Sequence, residues 1–306
     1  MTAPSSPPDL ARAAPLPVPG PLERPAEVSS GRSRTRRGVV FWLCVAWIGL
    51  VIFGAVFASV LPIPSPDALD PFKRLEPIGT SGHLLGTDNL GRDVLSRIIF
   101  GSRVSLIVGV TAFAVGLVVG GGVGMAAGQV GGRLERLITW LMDVLLSFPA
   151  LILLIALVAF AGHSLLHISL ALGFLSIPVF ARLSRATTLA TADRDFVKAA
   201  RCAGLSPLRI LRKEILPNVL PGLLAYGLIA MGATIVVEGS LSFLGLSVSA
   251  PTPSWGGLIA AGQSLLQSNP GLVLVPSAFL CLTVLAFNLA GDTLRRGSTE
   301  GRGSLR

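Results

Sequence analysis

The chain has 306 residues and a formal net charge of +9, with 51% of its residues apolar and 13% charged. Soluble domains carry about 25% charge, so there are too few polar side chains here to cover a water-facing surface of this size. A soluble globular enzyme and a disordered chain are both excluded, which leaves an integral membrane protein with several spans.

Residues 1–38 form a polar tail with eight prolines that ends in the basic cluster Arg32, Arg34, Arg36 and Arg37. Such a segment buries too little apolar surface to order itself, so it is expected to be disordered. The first apolar run, Val39–Leu61, is longer than the core of a signal peptide and is followed by Pro62-Ile63-Pro64 rather than a small-residue cleavage site. It reads as an uncleaved span. Five further stretches meet the length needed to cross a bilayer, about 20 apolar residues: Val104–Gln129, Leu137–Ala161, Leu165–Leu183, Val219–Val237 and Gly271–Leu289. Pro178 is expected to kink the fourth span or to lie near its end. The fold class is therefore all-α, a polytopic membrane protein with six transmembrane helices over residues 39–295. A short tail, 296–306, follows. Two segments lie between spans on one side, 62–103 and 238–270, the second mixed enough in composition to read as a surface or re-entrant piece.

Orientation follows from Lys and Arg. Twenty of the 25 fall in the two tails, at Arg133, Arg136 and Arg295, and in residues 182–217; the other five, Lys73, Arg74, Arg92, Arg97 and Arg103, fall in 62–103. Cytoplasmic loops collect these residues, so both termini are expected in the cytoplasm, with 62–103 and 238–270 outside.

The second span carries Gly116, Gly120, Gly124 and Gly128 at a spacing of four, widened by Gly121 and Gly122. Such a stripe lets another backbone approach closely. It fits a pathway or subunit interface, or ordinary packing within one bundle. Intramembrane charge is confined to Asp143 and Glu238, both near span ends and expected to be solvated or paired. A carboxylate at mid-bilayer costs roughly 2.5–3.5 kcal/mol. The three cysteines, Cys44, Cys202 and Cys281, make no CxxC. His163 and His167 lie four apart without the glutamate of a metalloprotease helix, and no G-x-x-x-x-G-K-[ST] phosphate loop occurs. No catalytic residue, metal ligand or cofactor site is expected, and hydrolysis of ATP would fall to a separate chain.

The longest interior loop, 182–217, carries the most information. Asp195 is placed to cap a short helix through Cys202 and Gly204 to stop it in a left-handed conformation. Ser206 then caps a second helix with Pro207 in its first turn, and Pro217 ends that helix where the next span starts. The product is a stiff helix–turn–helix that exposes Ala199, Ala200 and Gly204 at its bend, a small-residue knob suited to a groove on a partner. A DNA-binding helix-turn-helix is disfavoured because spans begin within about 15 residues on either side. A basic loop that merely touches anionic lipid is the plainer alternative, but it does not explain the caps, the Ala199-Ala200 bend and the closing Leu216-Pro217 together.

Ala199, Ala200, Gly204, Leu216 and Pro217 resemble the "EAA" loop of importer-type ABC transporter permeases, with Asp195 and Leu205 in the same unit. Lys198 stands where that pattern has Glu, and Glu214 where it has Ile, with Ile215 beside it. Residues 83–97, with Gly86, Thr87, Asp88, Gly91, Arg92 and Asp93, resemble the exterior signature of the dipeptide/oligopeptide/nickel group, in its C-type subunit. Pro253-Ser254-Trp255-Gly256-Gly257 and Asn288-Leu289-Ala290-Gly291-Asp292 resemble that group's C-terminal features. The resemblance covers about 39–295 and implies a MetI-like, type I ABC importer permease fold in a bacterial cytoplasmic membrane. It implies a B-type permease partner, two ATPase domains or subunits that bind ATP and Mg and dock on 184–217, and an extracytoplasmic binding protein that lands on 82–103. No nucleic acid is implied, and cargo is set largely by the binding protein: di- or oligopeptides, or a related small solute such as nickel, a sugar or a tetrapyrrole. The rival function is an ATP-independent channel or secondary carrier whose basic loop anchors to lipid.

Overall fold

A computed structural model describes residues 31–249 and 251–303, with side chains described over 38–249 and 251–296. Most of the tail expected over 1–38 lies outside the described residues; from Gly31 onward it is part of the first helix, α1 (Gly31–Phe57). The other helices among the described residues are α2 (Val94–Val130), α3 (Gly132–Ser147), α4 (Ala150–Ala161), α5 (Leu165–Ala192), α6 (Asp195–Cys202), α7 (Pro207–Phe243), α8 (Trp255–Gly262) and α9 (Gly271–Gly303). No strand forms among them.

Parts of α1, α2, α5, α7 and α9 are long and apolar enough to cross a bilayer, while α3 and α4 form a pair bent by 87°. The contacts decide whether that pair is a sixth crossing. Trp47 of α1 donates to Thr283 of α9, 3.1 Å apart, and Cys44 clusters with Ala286 and Ala290, so α1 and α9 are antiparallel. Gly239 of α7 faces Leu280, Gly232 faces Val284, and Gly291 of α9 faces Ala225, again antiparallel. Gly109 of α2 faces Ile235 and Gly121 faces Leu223, so α2 and α7 oppose one another too. Along α2 and α5 the numbers rise together: Val115 meets Gly173, Gly120 meets Ile177, Gly124 meets Ala181 and Gly128 meets Arg185. Two neighbouring helices that run in the same direction require the chain between them to return across the bundle. The bent α3–α4 pair makes that return, which gives six crossings and puts both ends of the described chain, with α6, on one side. Segments 58–93 and 244–270 lie on the other.

The bilayer-length windows fall inside longer helices. α2 starts ten residues before the expected Val104 and takes the last part of the segment 62–103; α5 runs through Pro178 to Ala192 and takes the start of the loop 182–217. α7 begins at Pro207 and ends at Phe243, and α9 continues to Gly303, through most of the tail expected over 296–306. Hydropathy marks hydrocarbon thickness, whereas a helix propagates wherever each further residue adds a backbone hydrogen bond.

The glycine stripe turns out to be a contact within the bundle. A Cβ on Gly124 would stand 2.2 Å from the carbonyl oxygen of Ala181, and one on Gly120 2.5 Å from that of Ile177; Gly122 has nothing within 4 Å. Ser184 closes the seam by donating to the carbonyl of Gly121 at 2.7 Å. We expect Gly124→Val to cost about 3 kcal/mol or more, since the obstacle is backbone, and to abolish monodisperse protein in detergent. Gly122→Val should leave the yield and the thermal midpoint close to wild type.

Candidate functional site

Between α5 and α7 the chain builds an elbow. α6 opens with Arg194 at the capping position in an extended conformation, so Asp195 is the first helical residue rather than the cap, where its charge favours the positive end of the helix. Its C-terminus is a Schellman turn: Gly204 has φ +76°, its N–H donates to the Arg201 carbonyl at 3.0 Å, and the Leu205 N–H donates to the Ala200 carbonyl at 3.2 Å. Ser206 is extended at the start of α7, but its hydroxyl makes no capping bond; its carbonyl takes the Arg209 and Ile210 N–H groups instead.

Beyond the caps at Asp195 and Ser206, two further expectations about this elbow are corrected. Ala200 is not exposed at the bend: it is 8% exposed and packs with Val197, Ile210 and Ile215 against Phe180, Val219 and Leu223, joined by Leu205. Ala199 and Gly204 do face out, together with Phe196 and Leu208. Pro217 does not end a helix. A π turn, Leu211–Ile215, closed by the Leu216 N–H on the Leu211 carbonyl, directly precedes it. Proline lacks an N–H and its ring crowds the carbonyl four residues back; the wider turn makes room, and Asn218 donates from its side chain to the Glu214 carbonyl at 2.7 Å. The elbow is thus continuous with α7 through Leu216 and Pro217. Gln129, near the end of α2, also donates to the Pro207 carbonyl. The exposed basic residues Lys198, Arg201 and Arg209 belong to the same unit.

On the opposite side, residues 62–93 fold into a knot whose centre is the signature expected to face a binding protein. Those side chains point inward. The Thr87 hydroxyl donates to the Lys73 carbonyl and accepts from Glu76 N–H at 2.9 Å. One Asp88 oxygen accepts the Leu90 and Arg92 N–H groups at 2.8 and 3.0 Å, and the other takes the Arg92 guanidinium at 2.7 Å. Asp93 accepts from Ser96 N–H at 2.7 Å as the cap of α2, and its other oxygen lies 2.9 Å from His83 Nδ1. Gly86 and Gly91 have φ of +76° and +77°, and a Cβ on either would enter the backbone of Glu76 or Asp70. The outer surface of the knot carries the apolar Leu69, Ile78, Leu84 and Phe72, the last 97% exposed, among exposed polar residues that include Asp67, Lys73, Arg74 and Asn89.

The two intramembrane carboxylates part company. Asp143 is ion-paired with Arg182 at 2.6 Å and partly exposed. Glu238 is fully buried, without an ion pair among the described residues, and is held by serine hydroxyls. Of the serines around it, only Ser254 stands in a motif the sequence displays, 253–257; Ser105, Ser242 and Ser247 are brought to it by the packing of α2 and α7. Among the described residues no cluster of His, Cys, Asp or Glu could hold a metal.

This build, a six-crossing helical bundle with a rigid elbow on one side and a folded knot on the other, is that of a transporter's membrane subunit. Residues 120–298 match the family described as "Binding-protein-dependent transport system inner membrane component". The chain is 37% identical over 257 residues, 82% of its length and 84% of the relative's, to the dipeptide transport system permease protein DppC of Alkalihalophilus pseudofirmus. It is 38% identical over 247 residues, 80% and 82% of the two chains, to the glutathione transport system permease protein GsiD of Pectobacterium atrosepticum. Over 298 residues, 96% and 94% of the two chains, it is 35% identical to the di/tripeptide permease DppC of Pseudomonas aeruginosa. A chain of the MetNI methionine ABC transporter, in an inward-facing conformation, shares the fold at a TM-score of 0.56 and 20% identity, covering 66% of this chain and 96% of that one. The chain belongs to the binding-protein-dependent transport system inner membrane component family and is a permease of that family.

The knot yields a stability test. Gly91→Ala combines a left-handed φ with a Cβ placed 1.9 Å from the Asp70 carbonyl oxygen. We expect protease cleavage within 62–93 to rise at least about tenfold, a loss of roughly 1.4 kcal/mol in the opening equilibrium, while Leu84→Ala, on the surface, leaves it unchanged.

Proposed function

We propose that this chain is one of two permease subunits of an ATP-binding-cassette importer, paired with a B-type partner and powered by two ATPase domains that bind ATP and Mg. Its elbow docks on one ATPase domain, and the exterior side of the bundle receives a substrate-loaded binding protein. The observation that carries the reading is the elbow's construction. Its lower face is cemented into the bundle core, its upper face presents Phe196, Ala199, Gly204 and Leu208, and it runs without a break into α7. A unit built this way transmits a push; a loop anchored only to lipid needs neither the buried face nor the continuity. The working unit spans 39–295, with both tails, 1–38 and 296–306, in the cytoplasm beside the elbow, as the 20-to-5 distribution of Lys and Arg favours.

The inward-facing signature Gly86, Thr87, Asp88, Gly91, Arg92 and Asp93 shapes the landing segment, and Leu69, Phe72, Ile78 and Leu84 supply its contact surface. Exposed aromatic and aliphatic groups of this kind gain the most from burial against a partner. Cargo is a di- or oligopeptide or a related small solute, by likeness to the dipeptide and glutathione permeases.

Ala199→Arg is the sharper test of docking, because Ala200→Asp would place a charge in the core and damage the elbow itself. In the complete system Ala199→Arg should lower the ATPase recovered with the permease by about tenfold or more and abolish uptake, with membrane insertion unchanged. Normal uptake by this variant, or uptake by proteoliposomes without ATPase subunits, would overturn the importer reading in favour of an ATP-independent carrier. For orientation, the exposed Cys202 should react with a membrane-impermeant maleimide only after cells are opened.

A further inference from the structure

The outer ends of α2 and α7 and the segment entering α8 converge on one carboxylate. Glu238 lies in the last two turns of α7 and is fully buried. One of its oxygens accepts from the Ser242 hydroxyl at 2.8 Å and from the Ser247 hydroxyl at 2.9 Å; the other lies 3.5 Å from the Ser105 hydroxyl of α2. Ser242 is in turn 2.9 Å from the hydroxyl of Ser254, the cap of α8, which accepts the Gly257 N–H at 3.1 Å. Beside this cluster α7 and α8 touch through glycines, so that a Cβ on Gly256 would stand 2.5 Å from Gly239 Cα. The buried Trp255 donates from its indole to the Ile98 carbonyl of α2 at 3.0 Å.

The same first turns of α2 hold the exterior knot. Ser96 donates to the Pro64 carbonyl at 2.6 Å, Arg97 to the Pro66 carbonyl at 3.1 Å, and Asp93 caps the helix. A chain of direct bonds therefore joins the knot to α2, α2 and α8 to Glu238, and Glu238 to a helix of 37 residues whose other end emerges from the elbow. At 1.5 Å per residue that helix is about 55 Å long.

We propose that Glu238 is a positioning residue, the outer joint through which α7 relays between the exterior knot and the elbow. The inference rests on the importer reading above and deepens it. Ser105, Ser242 and Ser247 come from α2, α7 and the segment that follows α7, and Glu238 is the side chain on which all three converge. A glutamate side chain offers two oxygens, and one of them accepts from two hydroxyls at once. Without that acceptor Ser247 and Ser105 lose their partner in a buried site and Ser242 keeps only Ser254, which favours separation of the elements they tie.

The test uses the complete transporter in proteoliposomes, comparing ATP hydrolysis with and without loaded binding protein in wild type, Glu238→Leu, Glu238→Gln and Ser247→Ala. We expect Glu238→Leu to lose about fivefold or more of the stimulation ratio and Ser247→Ala to lose part of it, at unchanged half-saturation by the binding protein. Basal hydrolysis and subunit stoichiometry should stay as in wild type. Glu238→Gln should retain most of the ratio, because its amide oxygen still accepts. Wild-type stimulation ratios in Glu238→Leu and Ser247→Ala would overturn the proposal, as would a joint fall in yield and basal hydrolysis with the ratio preserved. If Glu238→Leu fails to assemble, Ser247→Ala decides. Absence of stimulation in the wild-type transporter would instead overturn the importer reading.

Discussion

The fold depends on one close approach, that of α2 to α5. Glycine at 116, 120, 124 and 128 removes the side chains that would hold the two helices apart, and the partner surface is main chain at Ile177, Ala181 and Arg185 together with the side chains of Phe180 and Thr188. In hydrocarbon, where apolar side chains gain nothing by leaving lipid, association comes from such packing and from the hydrogen bonds it permits. Because the seam joins helices of the same direction, it dictates that α3 and α4 cross back, and so it fixes which loops share a side. The elbow, α1's start and α9's end are together for this reason.

The two faces of the bundle are stabilised by different means. The elbow is anchored by a hydrophobic cluster beneath it, continuous with Phe180 and Leu223 of the spans. The knot on the side opposite the elbow has little apolar interior and relies on carboxylates that accept backbone N–H groups, on left-handed glycines and on the Asp88–Arg92 pair. Its apolar side chains are pushed outward as a consequence. A segment that spends its polar groups internally presents a surface that a protein partner covers more readily than water does.

Composition and apolar run lengths suffice to recognise the six crossings, and the spacing Ala199-Ala200-x-x-x-Gly204 suffices to recognise the elbow. What the sequence conceals is direction and depth. Nothing in the Gly116–Gly128 spacing says whether its partner is α5 or another subunit, since either would need the same missing side chains. Ala200 and Ala199 look alike as letters, yet the first lies under the elbow and the second on it, because the helix phase is set by Val197 and Ile210 in the core. The signature at 86–93 reads as a contact surface but is mostly internal: Thr87 ties backbone groups of Lys73 and Glu76 more than ten residues back, and Asp88 and Asp93 accept from N–H groups a few residues ahead, turning their charge inward. Pro217 reads as a stop, and only the π turn before it lets the helix go on.

That continuity has a mechanical consequence. A proline normally breaks a helix by removing one bond and crowding one carbonyl, and α7 contains both Pro217 and Pro221 near its inner end. The π turn makes room for the Pro217 ring and the Asn218 side chain adds a bond to the Glu214 carbonyl, so the helix keeps its course from Pro207 to Phe243 while carrying fewer main-chain bonds in that region. A rod weakened near one end and clamped at the other by Glu238 and its serines bends close to the elbow rather than in the middle of the bilayer. Displacement of the elbow would then be taken up as tilt of α7 about its outer joint, where the knot and α8 are fastened, instead of being lost in the packed region around Gly227, Gly232 and Gly239.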